Sequence, residues 1–216
     1  MAKLYAKILD NEMLTGFFDM NLIPSNSSFL ITCECSKTLS RFINNIVFHI
    51  SDIPLKVIVT KNPSLYSLDT HIYNEYTPEL VKRICKTQQL AFDNRYSAPN
   101  ADRRIIAVFD NCFQDGTWLQ NKNMNTFFTM NRIMSITSIF GLPHIYGMTP
   151  TLRSNIDYVC IGKHSKNIEI RCIHDLFFHD ILSLDAFLEL LAKHSWLILH
   201  LGQQPKLFHY TVQNSI

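Results

Sequence analysis

The chain has 216 residues, of which 47% are apolar and 18% are charged. This size and composition allow one well-buried α/β domain and exclude a disordered chain. A formal net charge of +2 is too small to indicate nucleic-acid binding by itself. No apolar run approaches the ~18 residues that a membrane span needs, and the charged first residues do not resemble a signal peptide. We therefore expect no membrane span and no secretion.

In chain order, the polar cluster PSNSS predicts the end of an N-terminal arm over residues 1–27. The predicted elements that follow are a strand at 29–33, a helix at 38–50, a strand at 56–60 and a helix that starts at Thr77-Pro78-Glu79. The second half predicts a strand at 104–111, a helix near 123–134, a strand near 135–142, a turn or single helical turn at 150–155, a strand at 156–162, a helix capped by Ser183, and strands at 196–201 and 206–212. This alternation predicts an open, mostly parallel α/β sheet that ends in an antiparallel hairpin.

The stretch FLITCECSKT, residues 29–38, has the layout of a phosphate-binding loop. In G-x-x-x-x-G-K-[ST], backbone N–H groups surround phosphates, the lysine reaches the β/γ oxygens and the hydroxyl binds Mg²⁺. Lys37 and Thr38 fit the last two positions, but Ile31 and Ser36 stand where the glycines belong. The stretch is either a degenerate P-loop or a strand and a helix that meet at Lys-Thr.

The run IIAVFDN, residues 105–111, is an apolar strand that ends in an acid. A Walker B strand delivers a carboxylate to the magnesium shell in this way, and Asp110 holds that position. Asn111 follows where a second acid often polarises water, and an amide cannot take a proton from water. The alternative is a buried strand that ends in an Asp-Asn turn.

Three further stretches carry a resemblance to a known family: HIYNEYTPELVKRICKTQQ (71–89), FFTMNRIMSIT (127–137) and YGMTPTLRSNIDYVCI (146–161). They resemble segments of the DNA-packaging ATPases of poxviruses and other nucleocytoplasmic large DNA viruses, in the FtsK–HerA class. The similarity spans about residues 28–212 in the family's order, and TPTLRSNIDYV is its most specific part. It implies a RecA-like P-loop NTPase domain over residues 28–216.

The resemblance also implies a nucleotide site with ATP and Mg²⁺ as cofactors. Ser36, Lys37 and Thr38 would hold the nucleotide, and Thr38 and Asp110 would bind the metal. Asp110, Asn111 and Arg153 would be the catalytic residues. Arg153 is either an arginine finger that acts on a neighbouring subunit's nucleotide or an arginine that bonds the backbone at a helix end.

The departures from the family pattern fall where the chemistry would occur: Ile31, Ser36, Asn111, Ile133 and Pro143. Pro143 stands in place of a sensor glutamine and offers no side-chain donor or acceptor. This distribution indicates a retained scaffold with a degraded nucleotide site.

Three functions remain consistent with the sequence. The first is ATP-driven translocation of double-stranded DNA into a capsid by a homo-oligomeric ring. The second is a catalytically inactive pseudo-ATPase that assembles with an active motor or a capsid component, and the third is a DNA-binding module without a nucleotide role. The family's setting implies viral factories in the host cytoplasm or the virion.

Two other groups of residues have alternative interpretations. His164, His174 and His179 lie near two aspartates and suggest either a metal site or a partly buried helix with histidines on its rim. Trp118 and Tyr146 either stack on bases or anchor loops to the core. The six cysteines are scattered, which indicates reduced thiols in an intracellular protein.

Overall fold

The computed structural model describes residues 14–50, 52–66, 70–97, 99–113, 116–145 and 147–210. Residues 1–13 of the predicted arm, Tyr146 and the end of the last predicted strand lie outside these ranges. Within them, no helix combines the length and the apolar composition of a membrane span.

The described chain forms a nine-stranded sheet with helices on both faces. The strands are β1 (Leu14–Phe17), β2 (Ser28–Thr32), β3 (Leu55–Thr60), β4 (His71–Tyr73), β5 (Ile105–Asp110), β6 (Ile136–Leu142), β7 (Tyr158–Ile161), β8 (Trp196–His200) and β9 (Lys206–Tyr210). The α-helices are α1 (Ser36–His49), α2 (Pro78–Asp93), α3 (Lys122–Met130), α4 (Pro150–Arg153), α5 (Asn167–Phe177) and α6 (Leu184–Lys193).

The strand order is β1-β9-β8-β7-β2-β6-β5-β3-β4. All neighbours pair in parallel except β7 with β8 and β8 with β9, which are antiparallel. β6 lies between β2 and β5, so the strand before the Lys-Thr pair and the strand that ends at Asp110 are not adjacent. The prediction of a mostly parallel α/β sheet with a C-terminal antiparallel hairpin is confirmed.

Alternation along the strands divides the core between the two faces of the sheet. Phe29 and Ile31 of β2 pack on the face that α1 covers, whereas Leu30 packs with α2 to α6 on the other face. Every residue of β2, β5 and β6 is buried. Continuous apolar runs therefore form these central strands because both of their sides are covered by helices.

Two predicted helix starts have the expected caps. The hydroxyl of Thr77 accepts a hydrogen bond from Leu80 N at 3.2 Å, and that of Ser183 accepts one from Ala186 N at 3.3 Å. Pro78 occupies the first turn of α2, where its missing N–H leaves no hydrogen bond unmade.

The sequence prediction omitted β1 and β4, and it gave a helix around His174, in α5, as one of two interpretations. β4 has only three residues, and β1 contains Gly16 with a φ of 110°, so neither has a run long enough to recognise. β1 pairs with β9, and the chain after it packs Phe18 and Met20 into the core beneath α1. The sheet therefore extends into the segment predicted as an N-terminal arm.

Candidate functional site

The carboxyl ends of β2, β5, β6 and β7 meet at one edge of the sheet. In open α/β sheets, ligands bind outside the carboxyl ends of the strands, at the point where the order of the strands reverses. β2 lies between β6 and β7, whose connection crosses over it, so its carboxyl end is the place where a nucleotide would be expected.

The connection from β2 to α1 has only three residues, Cys33, Glu34 and Cys35. α1 begins at Ser36, which is half-buried, and Lys37 and Thr38 in its first turn are exposed. A P-loop leaves its backbone N–H groups pointing at a phosphate, and glycines allow that close approach. Here the chain enters the helix at once and has no glycine in the connection.

Asp110 is fully buried at the end of β5. Its Oδ2 accepts hydrogen bonds from Ser40 Oγ at 2.6 Å, Thr60 Oγ1 at 2.9 Å and Tyr66 OH at 2.9 Å. Within the described residues, its Oδ1 has no hydrogen-bond partner. Burial raises the pKa of the Asp110 carboxyl above its ordinary value of 3.8, although the three hydroxyls oppose the shift.

The neighbouring strand approaches Asp110 closely at Gly141. A β-carbon at this position would lie 2.5 Å from Ile43 Cδ1 and 3.4 Å from Asp110 Oδ1. A larger residue at this position would therefore push the end of the Ile43 side chain away from β6.

Ser40, and not Thr38, is the α1 hydroxyl that reaches Asp110. Because successive helical residues are about 100° apart, Thr38 and Ser40 point in directions about 200° apart. The structure therefore does not bring Thr38 and Asp110 together as ligands of one ion. The hydroxyl of Thr38 instead bonds the thiol of Cys35.

The Ser40–Asp110 contact suggests another register for the phosphate-loop pattern. Cys33 is the first residue after β2. If the pattern G-x-x-x-x-G-K-[ST] starts at Cys33, its last position falls on Ser40. Thr38 then stands at the second glycine and Leu39 at the lysine, and Leu39 is fully buried. In this register the residues of the loop form the first turn of α1, and no lysine follows them.

The donor set does not fit a hydrated magnesium ion with ATP phosphates. Mg²⁺ prefers carboxylate, water and phosphate oxygens around an accessible site. Oδ2 of Asp110 already accepts three hydroxyl hydrogens, and Oδ1 lies in the protein interior beside Gly141. Lys37 is exposed at the start of α1. The pKa of Asp110 is set by its burial and by the three hydroxyls, and Lys37 is not among these influences.

The other two predicted catalytic residues lie apart from each other. Asn111 has a φ of 46°, a conformation that asparagine tolerates, and donates its backbone N–H to Gly141 O at 2.9 Å. Its side chain lines a cavity of about 190 Å³ that also contains Pro143 and His144. Arg153 is half-buried at the end of α4, close in sequence to the amino end of β7.

The two most specific family-like stretches contact each other at the opposite edge of the sheet. Arg132 forms an ion pair of 2.6 Å with Asp157, and Asp157 Oδ2 accepts from the N–H of Ser28 at 2.8 Å and its hydroxyl at 3.0 Å. Ser28 Oγ also donates to Asn155 O at 2.5 Å. Asp157 therefore joins the amino end of β2 to the residues before β7, and Arg132 attaches the segment before β6 to the same carboxylate.

A polar cluster that the sequence did not suggest lies at the carboxyl end of β2. Glu169 lies 2.7 Å from His144 Nδ1, 3.2 Å from His164 Nδ1 and 3.7 Å from Lys166 Nζ. The other ring nitrogen of His164 is 3.2 Å from Thr32 Oγ1, at the end of β2. The cluster thus crosses the carboxyl end of β2 and links the loops after β6 and β7.

The carboxylate of this cluster is almost fully buried, with 4% of its side chain exposed. Burial opposes ionisation of Glu169, but hydrogen bonds and charges from His164, His144 and Lys166 hold its pKa below the ordinary value of 4.5. The three partners are far apart in sequence from Thr32, so no motif could have revealed the cluster. The sequence offered two weak signals for this cluster. Lys166 and Glu169 are three residues apart at the start of α5, and His144 and His164 follow β6 and β7.

The remaining candidates have local roles. His174 is buried, and its Nε2 lies 2.8 Å from Leu182 O. His179 pairs with Asp180 at 3.0 Å. Trp118 is buried and stacks on Phe113 with ring centroids 4.0 Å apart. Over the described ranges, no three His, Cys, Asp or Glu side chains are grouped as metal ligands.

Cys35 is expected to react with iodoacetamide faster than the other five cysteines. It is the one exposed cysteine, and the hydroxyl and backbone N–H of Thr38 lower its thiol pKa from 9.0. Thr38→Val should slow the reaction at pH 7 by roughly threefold, because the thiolate loses a donor. Mass spectrometry of tryptic peptides measures each rate; equal rates in both proteins would contradict this role of Thr38.

Comparisons with known proteins give viral relatives but no family. No protein-family model matches the chain. It is 22% identical over 187 residues to the uncharacterised protein L437 of Acanthamoeba polyphaga mimivirus, covering 82% of this chain. The chain spans 66% of the length of that relative.

Solved structures of similar fold belong to nucleotide-binding proteins. The genome packaging NTPase B204 of Sulfolobus turreted icosahedral virus 2, in complex with ATP-γS, has a TM-score of 0.56 at 12% identity, covering 89% of this chain and 100% of B204. The pCW3 conjugation coupling protein TcpA with ATPγS has a TM-score of 0.58 at 13% identity, covering 89% of this chain and 61% of TcpA. The strand order and these likenesses show that the chain has the mostly parallel α/β fold of the P-loop NTPases, with an antiparallel pair of strands at the end.

Proposed function

We propose that this protein is a viral genome-packaging ATPase-like protein that has kept the fold and lost ATP turnover. It acts in virion assembly as a partner of an active packaging motor or a capsid component, and double-stranded viral DNA is the substrate of that assembly. The P-loop NTPase fold, the relative in mimivirus and the resemblance of TPTLRSNIDYV support the packaging context. Its site of action is the viral factory or the virion.

The observation that carries the proposal is the environment of Asp110. A magnesium-binding carboxylate must face the nucleotide, whereas this one is buried and its Oδ2 accepts from Ser40, Thr60 and Tyr66. Losing a single transition-state donor typically costs ~100–1000-fold in rate. The absent glycines, the proline at position 143 and the exposed Lys37 together leave little catalytic capacity.

The second candidate function is an active ring motor with Arg153 as a finger in trans. Arg153 is half-buried, and no hydrogen bond or ion pair of its side chain is found among the described residues. Such an arginine is available to a neighbouring subunit, which is the observation that favours this candidate.

Calorimetry and turnover assays distinguish the two candidates. Titration of ATPγS with and without Mg²⁺ should give no magnesium-dependent binding, and phosphate release should stay at the buffer level with linear duplex DNA present. Lys37→Ala and Asp110→Asn should change neither result, with Lys193→Ala, whose side chain is exposed at the end of α6, as the control. DNA-stimulated turnover that Asp110→Asn abolishes would instead establish the active motor.

A further inference from the structure

A large concave surface lies on the side of α1 that faces away from Asp110. It is a groove of about 830 Å³ between α1 and the segment Phe17–Asn21, and Tyr210 lies at its end. We call it the β1–α1 groove. Its volume matches about two turns of an α-helix with side chains. Thr38 lines it, so the residue predicted to bind phosphate faces a different surface.

The groove has an apolar floor and apolar rims. Phe18 and Phe42 form buried parts of its lining, and Phe42 stacks on Trp196 with ring centroids 3.9 Å apart. On the rims, Phe17 is 55% exposed and Phe48 is 72% exposed. Single exposed apolar residues are ordinary, but aromatic side chains on both sides of one concavity are typical of a binding groove.

The α1 side of the groove is basic. Arg41 lines the groove, and the exposed Lys37 flanks the lining one turn earlier on a helix that contains no Asp or Glu. Neither cation has an ion-pair partner among the residues that the structure describes. Asp19 is the one carboxylate in the lining, and its Oδ1 already accepts from the backbone N and the side-chain amide of Asn21, both at 2.9 Å.

We propose that the β1–α1 groove docks an acidic, amphipathic peptide segment of a protein partner. The segment's apolar side chains fill the space between Phe17 and Phe48, and its carboxylates pair with Arg41 and Lys37. Apolar anchors in a groove supply affinity, and complementary rim charges supply orientation and association rate.

Two other occupants fit the groove less well. Single-stranded nucleic acid binds through a basic track with stacking aromatics, and Arg41 in the lining with Lys37 one turn away does not make such a track. A second copy in a two-fold contact would bring the same basic face of α1 against itself, which repels. An acidic partner satisfies both the charge and the apolar rims.

This inference rests on the proposed assembly role, to which it gives a surface and a partner chemistry. The two proposals fail separately. Turnover assays report on Asp110, and peptide binding reports on residues on another side of α1.

A random 12-residue peptide library displayed on phage tests the proposal directly. The library is selected on the full chain and depleted on the Arg41→Glu, Phe48→Ser double variant. Enriched sequences are expected to combine Asp or Glu with Leu, Phe or Trp. Fluorescein-labelled synthetic versions should bind the full chain with an affinity that falls as salt rises.

Single substitutions then locate the binding. Arg41→Glu, Lys37→Glu and Phe48→Ser should each weaken binding at least about tenfold. Lys86→Glu and Leu90→Ser are the controls, because they make the same kinds of change at exposed positions of α2, on the opposite face of the sheet. They should change the peptide affinity less than about twofold. Because all the substituted side chains are exposed, circular dichroism melts should stay close to the unmodified protein.

Four binding results would overturn the proposal, and so would one sedimentation result. The binding results are the absence of any enriched peptide, enrichment of basic or uncharged peptides, binding that survives Arg41→Glu and Phe48→Ser, and binding of labelled (dT)20 that Arg41→Glu abolishes while no peptide binds. Sedimentation that shows self-association lost in Phe48→Ser would assign the groove to a second copy and would also overturn it.

Discussion

Replacing Asp110 with alanine is expected to lower the free energy of unfolding by roughly 3–5 kcal/mol. Ser40, Thr60 and Tyr66 all donate to the same oxygen of Asp110, and none of them reaches water if that acceptor is removed. Urea denaturation followed by tryptophan fluorescence measures the change, because Trp118 and Trp196 are both buried. An alanine variant as stable as the unmodified protein would contradict this role.

Asp110→Asn is the matched control, since its amide oxygen still accepts from the hydroxyls. We expect it to cost less than about 1 kcal/mol at pH 7. Burial raises the folded-state pKa of Asp110 above 3.8, so the folded protein binds this proton more tightly than the unfolded chain does. Stability relative to the Asn variant should therefore rise as the pH falls from 7 towards 4; a decrease over this range would be the wrong sign.

Replacing Glu169 with alanine is expected to cost roughly 2–4 kcal/mol at pH 7. The change removes the shared partner of His144 and His164 and leaves the ring of His164, whose side chain is 1% exposed, without its carboxylate. Thermal unfolding and urea denaturation measure the loss. Glu189→Gln, in an exposed pair with Lys193, is the control and should give no measurable change.

The pH dependence of the Glu169 variants has a defined sign. The folded-state pKa of Glu169 lies below 4.5, so the carboxylate stabilises the fold above about pH 4.5 and loses this effect as the pH falls through its folded pKa. The stability difference between the unmodified protein and Glu169→Gln should therefore shrink between pH 5 and pH 3. This window lies below the range in which imidazoles ordinarily titrate. A difference that grows on acidification would exclude a charged Glu169.

Hydrophobic pattern and local caps were sufficient to predict the central strands of the sheet and the start of two helices, but not the short strands β1 and β4. The mainly apolar runs that became β2, β5 and β6 are buried throughout because both faces of each strand are covered, and few arrangements other than a parallel α/β sheet achieve that. Thr77 and Ser183 marked helix starts, because a hydroxyl before an apolar stripe satisfies backbone N–H groups within the next turn.

The candidate site was less accessible from the sequence. Lys37-Thr38 matches the last two residues of the P-loop motif after a strand, but the motif does not specify the residue at which the helix begins. α1 starts at Ser36, after a connection of only three residues from β2, and this start turns Thr38 towards the β1–α1 groove and Ser40 towards Asp110. Sequence motifs record order along the chain, whereas side-chain direction depends on helical phase.

The sequence by itself determined which segments are buried, where two of the helices begin and that the strands are mostly parallel. These properties follow from period, burial and capping, which act over a few residues. Only the tertiary structure decided that Asp110 is enclosed by three hydroxyls and that Glu169 joins His144 to His164 across the end of β2. Such contacts join residues far apart in the chain, and their energies depend on distances and burial that exist only after the sheet has formed.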